Sequence, residues 1–117
     1  MIFTPGECNI ICSDLSKSRK FYEDILGFEF VENDSGAVRL SLGNRFFLLL
    51  PIASEKRPSA KYCSLPEISL DLQVKDAKAA FEYLQNKDVE IVQELDEEES
   101  WFVIADPDGN HWEIVQE

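Results

Sequence analysis

Two stretches of this sequence carry the same punctuation. Asp14 precedes one helical pattern, and Asp76, 62 residues on, precedes another. Gly43-Asn44 recurs as Gly109-Asn110 at an offset of 66, and Phe28-Glu29-Phe30-Val31 recurs as Val89-Glu90-Ile91-Val92. Self-similarity at such a period marks an internal duplication. Each copy reads as a strand, a helix and three more strands. Neither copy covers its sheet alone, so the two must pair.

The elements follow from local chemistry. Residues 7–13 read as a strand, after which Asp14 or Ser16 can cap a helix by accepting from its free N–H groups. Its inner stripe is Leu15, Ser18, Tyr22, Ile25 and Leu26, with Phe21 beside it, and Gly27 ends it in the left-handed conformation. Strands follow at 28–32, 37–42 and 45–50, the last two joined by a tight turn at Gly43-Asn44. Residues 52–66 hold Pro58, Pro66, Lys56, Arg57 and Lys61 and read as a linker. The pattern then restarts with a strand at 68–74, in which Ile68, Leu70, Leu72 and Val74 face the helix. Asp76 caps that helix, whose Ala77, Ala80, Phe81 and Leu84 recur at helical spacing. Strands at 89–93, 101–105 and 111–116 complete it, with Asp106-Pro107-Asp108-Gly109 as a type I turn. The expected architecture is α+β: two tandem βαβββ modules forming a curled, cup-shaped mixed sheet with helices outside. The chain is one domain of 117 residues, with module 1 at about 1–51, a linker at about 52–66 and module 2 at about 67–117.

Charge narrows the partners. The net charge of −12 repels nucleic-acid phosphates and anionic membrane surfaces but admits cationic ligands. Part of it lies in Asp96-Glu97-Glu98-Glu99, which reads as a solvated turn. No apolar run has membrane-spanning length, and the N-terminus shows no basic region with an apolar core, so a cytoplasmic protein is expected. Cys8 and Cys12 lie on one strand roughly 13 Å apart, too far to bridge, and with Cys63 they are expected as reduced thiols.

Three segments belong together: Asp14-Leu15-x-x-Ser18-x-x-Phe21-Tyr22, Leu26-Gly27-Phe28, and Asp106-Pro107-Asp108-Gly109-Asn110-x-x-Glu113. With them the chain resembles the vicinal oxygen chelate superfamily, which contains glyoxalase I, extradiol dioxygenases, and bleomycin- and fosfomycin-resistance proteins. The resemblance covers nearly the whole chain. It implies two βαβββ modules curled into a cup that holds a ligand, and a homodimer. It also implies four metal-ligand positions, filled here by Glu7, Phe47, Ser69 and Glu113. The family's usual histidines stand at the first and third of these, and neither is present. Two carboxylates, a phenyl ring and a hydroxyl bind a transition metal weakly, since zinc, nickel and non-haem iron favour imidazole donors.

Strand parity supplies the expected lining of the cup. Glu7, Asn9 and Ile11 face inward, as do Ser69, Asp71 and Gln73. Arg39 and Ser41, Phe47 and Leu49, Trp101 and Val103, and His111 and Glu113 join them. The expected ligand-binding set is Glu7, Asn9, Arg39, Phe47, Ser69, Asp71, Trp101 and Glu113. His111 is either a catalytic base or an ordinary strand-end residue. Glu7 and Glu113 are either an acid–base pair or salt-bridged to Arg39. Phe47 and Trp101 either stack on a ligand or fill a core. Trp112 has the opposite parity and belongs under a helix.

Three functions fit: a binding protein that takes a small, flat, neutral or cationic molecule with no cofactor, a lyase, isomerase or dioxygenase with Glu7 and Glu113 on a degenerate metal site, or a metal-free enzyme with Glu113 or His111 as proton carrier. The donor set favours the first. Elemental analysis of protein purified without a histidine tag should find no zinc, nickel, manganese or iron near one equivalent per chain. A stoichiometric metal whose removal by chelator destabilises the fold would contradict it.

Overall fold

The computed structural model describes every residue of the chain except Glu97 and Glu99. The acidic turn expected at 96–99 therefore lies partly outside the described residues. The chain divides into two compact units, Met1–Lys56 and Arg57–Glu117, each holding one βαβββ module. Among the described residues, no helix is long and apolar enough to cross a membrane.

The first unit contains β1 (Cys8–Ile11), α1 (Leu15–Arg19), a π-helical segment (Lys20–Ile25), β2 (Glu29–Asp34), β3 (Ala37–Leu42) and β4 (Arg45–Leu50). Asp14 is the cap, accepting from the Lys17 N–H at 3.1 Å. The single helix expected from the sequence changes pitch at Lys20. Leu26 N–H bonds the Phe21 carbonyl five residues back at 3.1 Å. This wider turn lets the neighbours Phe21 and Tyr22 share the inner face, and both are buried. Gly27 follows at φ 81, as the helix stop requires.

The sheet order is β1-β4-β3-β2, with β1 parallel to β4 and the other pairs antiparallel. Cys8 pairs with Phe47 and Ile10 with Leu49, while Leu40 and Val38 flank the same two residues from β3. Directly paired residues share a sheet face. Phe47 and Leu49 therefore lie on the helix-covered side. Phe47 packs its ring 5.0 Å from Phe28, which meets Tyr22 at 5.2 Å. The expectation that Phe47 and Leu49 face a ligand is thus corrected. Strand β4 reads Phe46-Phe47-Leu48-Leu49-Leu50, apolar on both faces, so it offers no alternation from which parity can be counted.

The second unit contains β5 (Leu70–Val74), α2 (Ala77–Asn86), β6 (Glu90–Asp96), β7 (Trp101–Ala105) and β8 (His111–Gln116), in the order β5-β8-β7-β6. Asp76 caps α2 through the Ala79 N–H at 3.0 Å. Phe102, Ile104, Trp112 and Ile114 form the buried face under α2, where Phe81 meets Phe102 edge-on at 5.1 Å. Ile68, expected to open β5 and face the helix, is instead 93% exposed. By the β5–β8 register its partner would be Asn110, which the turn holds through a 2.8 Å bond from its N–H to Asp106 Oδ1.

The register has a direct test. Phe47→Ala should cost about 3–5 kcal/mol in chemical denaturation, as for a buried phenyl ring. Phe46→Ala, on the opposite face and 51% exposed, should cost less than about 1 kcal/mol. The reverse order would restore the original parity.

Candidate functional site

In the second unit, Asp71 stands directly across from Glu113, and Val103 flanks Glu113 from the other side. Trp101 pairs with Val115 on that same face, and His111 with Ala105. Strand parity therefore places Asp71, Gln73, Trp101, Val103, His111 and Glu113 together, as the sequence predicts. Asp71 is exposed, whereas Trp101, His111 and Glu113 are half-buried.

One end of this face is covered by a segment that sequence reasoning treated as linker. The Tyr62 hydroxyl hydrogen-bonds Ser69 Oγ, which in turn donates to Glu113 Oε2 over a long 3.5 Å. His111 Nδ1 lies 3.1 Å from Glu67 Oε1, with the two side chains only 5% and 13% exposed. The Tyr62 ring stands edge-on to His111 at 5.4 Å. Burial pushes the Tyr62 phenol up, partly offset by the Ser69 hydrogen bond, and the negative charge of Glu113 raises it further. At the root of the segment Arg57 N–H donates to the Asp108 carbonyl at 2.8 Å. This approach needs Gly109, at φ 87, where a Cβ would sit 3.3 Å from the Arg57 carbonyl oxygen.

The first unit presents Arg39 on its open face, 18% exposed at the side chain. Arg39 Nε donates to Glu7 Oε1 at 2.8 Å, and its terminal nitrogens reach Glu32 and, at 3.1 Å, Asp34 Oδ2. The Glu7 hydrogen bond, then that of Asp34 and the nearby carboxylate charges, raise the guanidinium pKa. Asn9 lies on this face too, opposite Leu48. Burial likewise pushes the thiol of Cys8, on the other face, up.

The partners Tyr62, Glu67, Glu32 and Asp34 were missed by sequence reasoning. Glu32 and Asp34 left a signal, because an acidic strand precedes a strand bearing a lone arginine, and β2 sets Glu32 opposite Arg39 beyond a bulge. Tyr62 and Glu67 left none, since nothing local states where a proline-rich segment folds.

A sequence profile of the Glyoxalase/Bleomycin resistance protein/Dioxygenase superfamily matches residues 4–114. The chain belongs to this superfamily. Comparison with curated protein sequences finds no match. Among solved structures, lactoylglutathione lyase from Agrobacterium tumefaciens is similar at a TM-score of 0.71 and 18% identity, over 97% of this chain and 92% of that one. A protein from the mobile metagenome of V. pseudocholerae is 27% identical at a TM-score of 0.69, over 99% and 96%. The trypanothione-dependent glyoxalase I of Leishmania major is 21% identical at 0.72, over 94% and 84%.

The superfamily's metal positions can now be reread by register. Asn9 pairs with Leu48 as Asp71, 62 residues on, pairs with Glu113. The counterpart of Glu113 is therefore Leu48, not Phe47. Aligning the two Gly-Asn pairs misplaced it, because Gly43-Asn44 alone joins β3 to β4, whereas residues 106–110 join β7 to β8. The positions become Glu7 and Leu48 in the first unit and Ser69 and Glu113 in the second. Neither pair includes an imidazole, and neither fits a resident transition metal. Among the described residues, no cluster of three His, Cys, Asp or Glu side chains could hold one.

Two measurements follow. Arg39→Met should lower the thermal midpoint, and the loss should shrink in about 1 M salt, where charges are screened beyond about 3 Å. Arg39→Lys should recover only part, because an ammonium cannot reproduce the guanidinium fork. Separately, ultraviolet titration should find Tyr62 ionising above the ordinary phenol value of about 10. Ser69→Ala should raise it further, by removing a bond that stabilises the phenolate, and Glu113→Gln should lower it.

Proposed function

We propose that this chain is a binding member of its superfamily that takes a small, flat, partly apolar molecule, neutral or cationic, without a tightly held metal. The observation that carries the reading is the Asp71–Glu113 pair. Like charges placed directly opposite on neighbouring strands repel. No lysine or arginine forms an ion pair with either among the described residues. A cationic group between them would relieve the repulsion, and the Trp101 indole on the same face supplies stacking area and attraction to a cation. In the first unit, Arg39 is already claimed by three carboxylates, so that face offers no free cation to an anionic ligand. The net charge of −12 would steer a cation in and make its on-rate fall with salt.

A second reading, a metal-free enzyme with Glu113 as proton carrier, draws on the hydrogen-bonded chain Tyr62–Ser69–Glu113. In either reading His111, shielded and bonded to Glu67, serves as an anchor for the covering segment.

The test compares 9-aminoacridine, a flat cation at neutral pH, with anthracene-9-carboxylate, an anion of similar size. The cation should raise the thermal midpoint. At a concentration about 100 times its Kd the stabilisation would be about 2.7 kcal/mol. Trp101→Ala and Glu113→Gln should each weaken the shift. A response to the anion alone, or one indifferent to both substitutions, would refute the reading.

A further inference from the structure

We propose that residues 57–69 form a gate over Glu113, held shut by two latches, Tyr62 on Ser69 and Glu67 on His111. Along this segment only Tyr62 and Glu67 are even partly buried; every other residue is exposed. These two side chains make the contacts already described, and both end on strand β8 or on the hydroxyl bonded to it. The main chain between them is anchored little: Ser64 N–H bonds back to Lys61 within the segment at 3.1 Å. Cys63, next to Tyr62, is held at φ 61, a left-handed conformation that a side chain disfavours.

The Tyr62 and Ser69 hydroxyls share a hydrogen bond, and the Ser69 hydroxyl also reaches Glu113. Tyr62 thereby fills the place from which a ligand N–H or O–H would reach Ser69 while bonding Glu113. A ligand of the kind proposed above must displace it. The gate thus makes access to Glu113 conditional on these side-chain contacts, which lie outside the helix-covered core. Segments that move in binding are drawn from such low-stability parts of a fold.

The gate deepens the binding reading, because it covers the same Glu113, but its test needs no ligand. The full chain is labelled with a water-soluble carbodiimide and glycine ethyl ester, and the rates at Glu113 and Asp71 are read by mass spectrometry. In parallel, trypsin is used at Lys61, whose following bond is cleavable while that of Arg57 is protected by Pro58. Tyr62→Ala and Glu67→Ala should each speed Glu113 labelling and Lys61 cleavage by about fivefold, the population change expected for one net hydrogen bond. Tyr62→Phe, which keeps the ring on His111, should give a smaller rise. It also serves if the alanine variant folds poorly. Asp71 labelling should not change. Wild-type rates at Glu113 in all three variants would overturn the gate. A rise shared by Asp71 would do so too, since the segment would then be a staple holding the sheet together. Failure of the acridine screen with a positive labelling result would refute the ligand class and leave the gate standing.

Discussion

In each module the first strand pairs in parallel with the last, and the functional surface depends on that pairing. A parallel pair needs a long crossover, and here the helix and two further strands supply it. β1 is thereby locked onto β4, and β5 onto β8. The pairing also decides which side chains share a face. Glu113 is opposite Asp71 because of this register, and a one-residue slip of β8 would send Glu113 under α2 and turn Trp112 and Ile114 out of the core. The burial of those apolar residues is what opposes the slip.

The two modules spend their acidic residues differently. In the first, three carboxylates converge on one guanidinium, and the arrangement is already satisfied. In the second, Asp71 and Glu113 face one another with no ion pair to a cation among the described residues, and the nearby polar groups are hydroxyls and a glutamate-bound histidine. Duplication produced two similar frames, and on the reading proposed here the second is the one whose acidic pair a cationic ligand would relieve.

A shared fold does not by itself bring metal ligands with it. The strands that carry metal ligands in the resemblance are present and correctly paired, yet they offer Glu7, Leu48, Ser69 and Glu113. A scaffold can keep its shape through its apolar face while its polar face changes freely, since the two alternate along every strand. That separation explains how chains of 18–27% identity share this architecture.

The sequence by itself determined the duplication, Asp76 as a helix cap, Gly27 as a helix stop, and the bounds of β3, β4, β7 and β8, because each depends on residues close along the chain, while the choice of Asp14 over Ser16 as the first cap came from the structure. It also placed Asp71, His111 and Glu113 on one face, since polar and apolar residues alternate in β5 and β8; β7 is apolar throughout, and its pairing with β8 puts Trp101 on that face too. Parity failed in β4, where five consecutive apolar residues erase the alternation, so only pairing with Cys8 and Ile10 showed that Phe47 belongs under the helix. The positions of Tyr62 and Glu67 were decided by tertiary structure alone. They sit in a segment without periodicity, and their partners, Ser69 and His111, are set by contacts that no local propensity encodes.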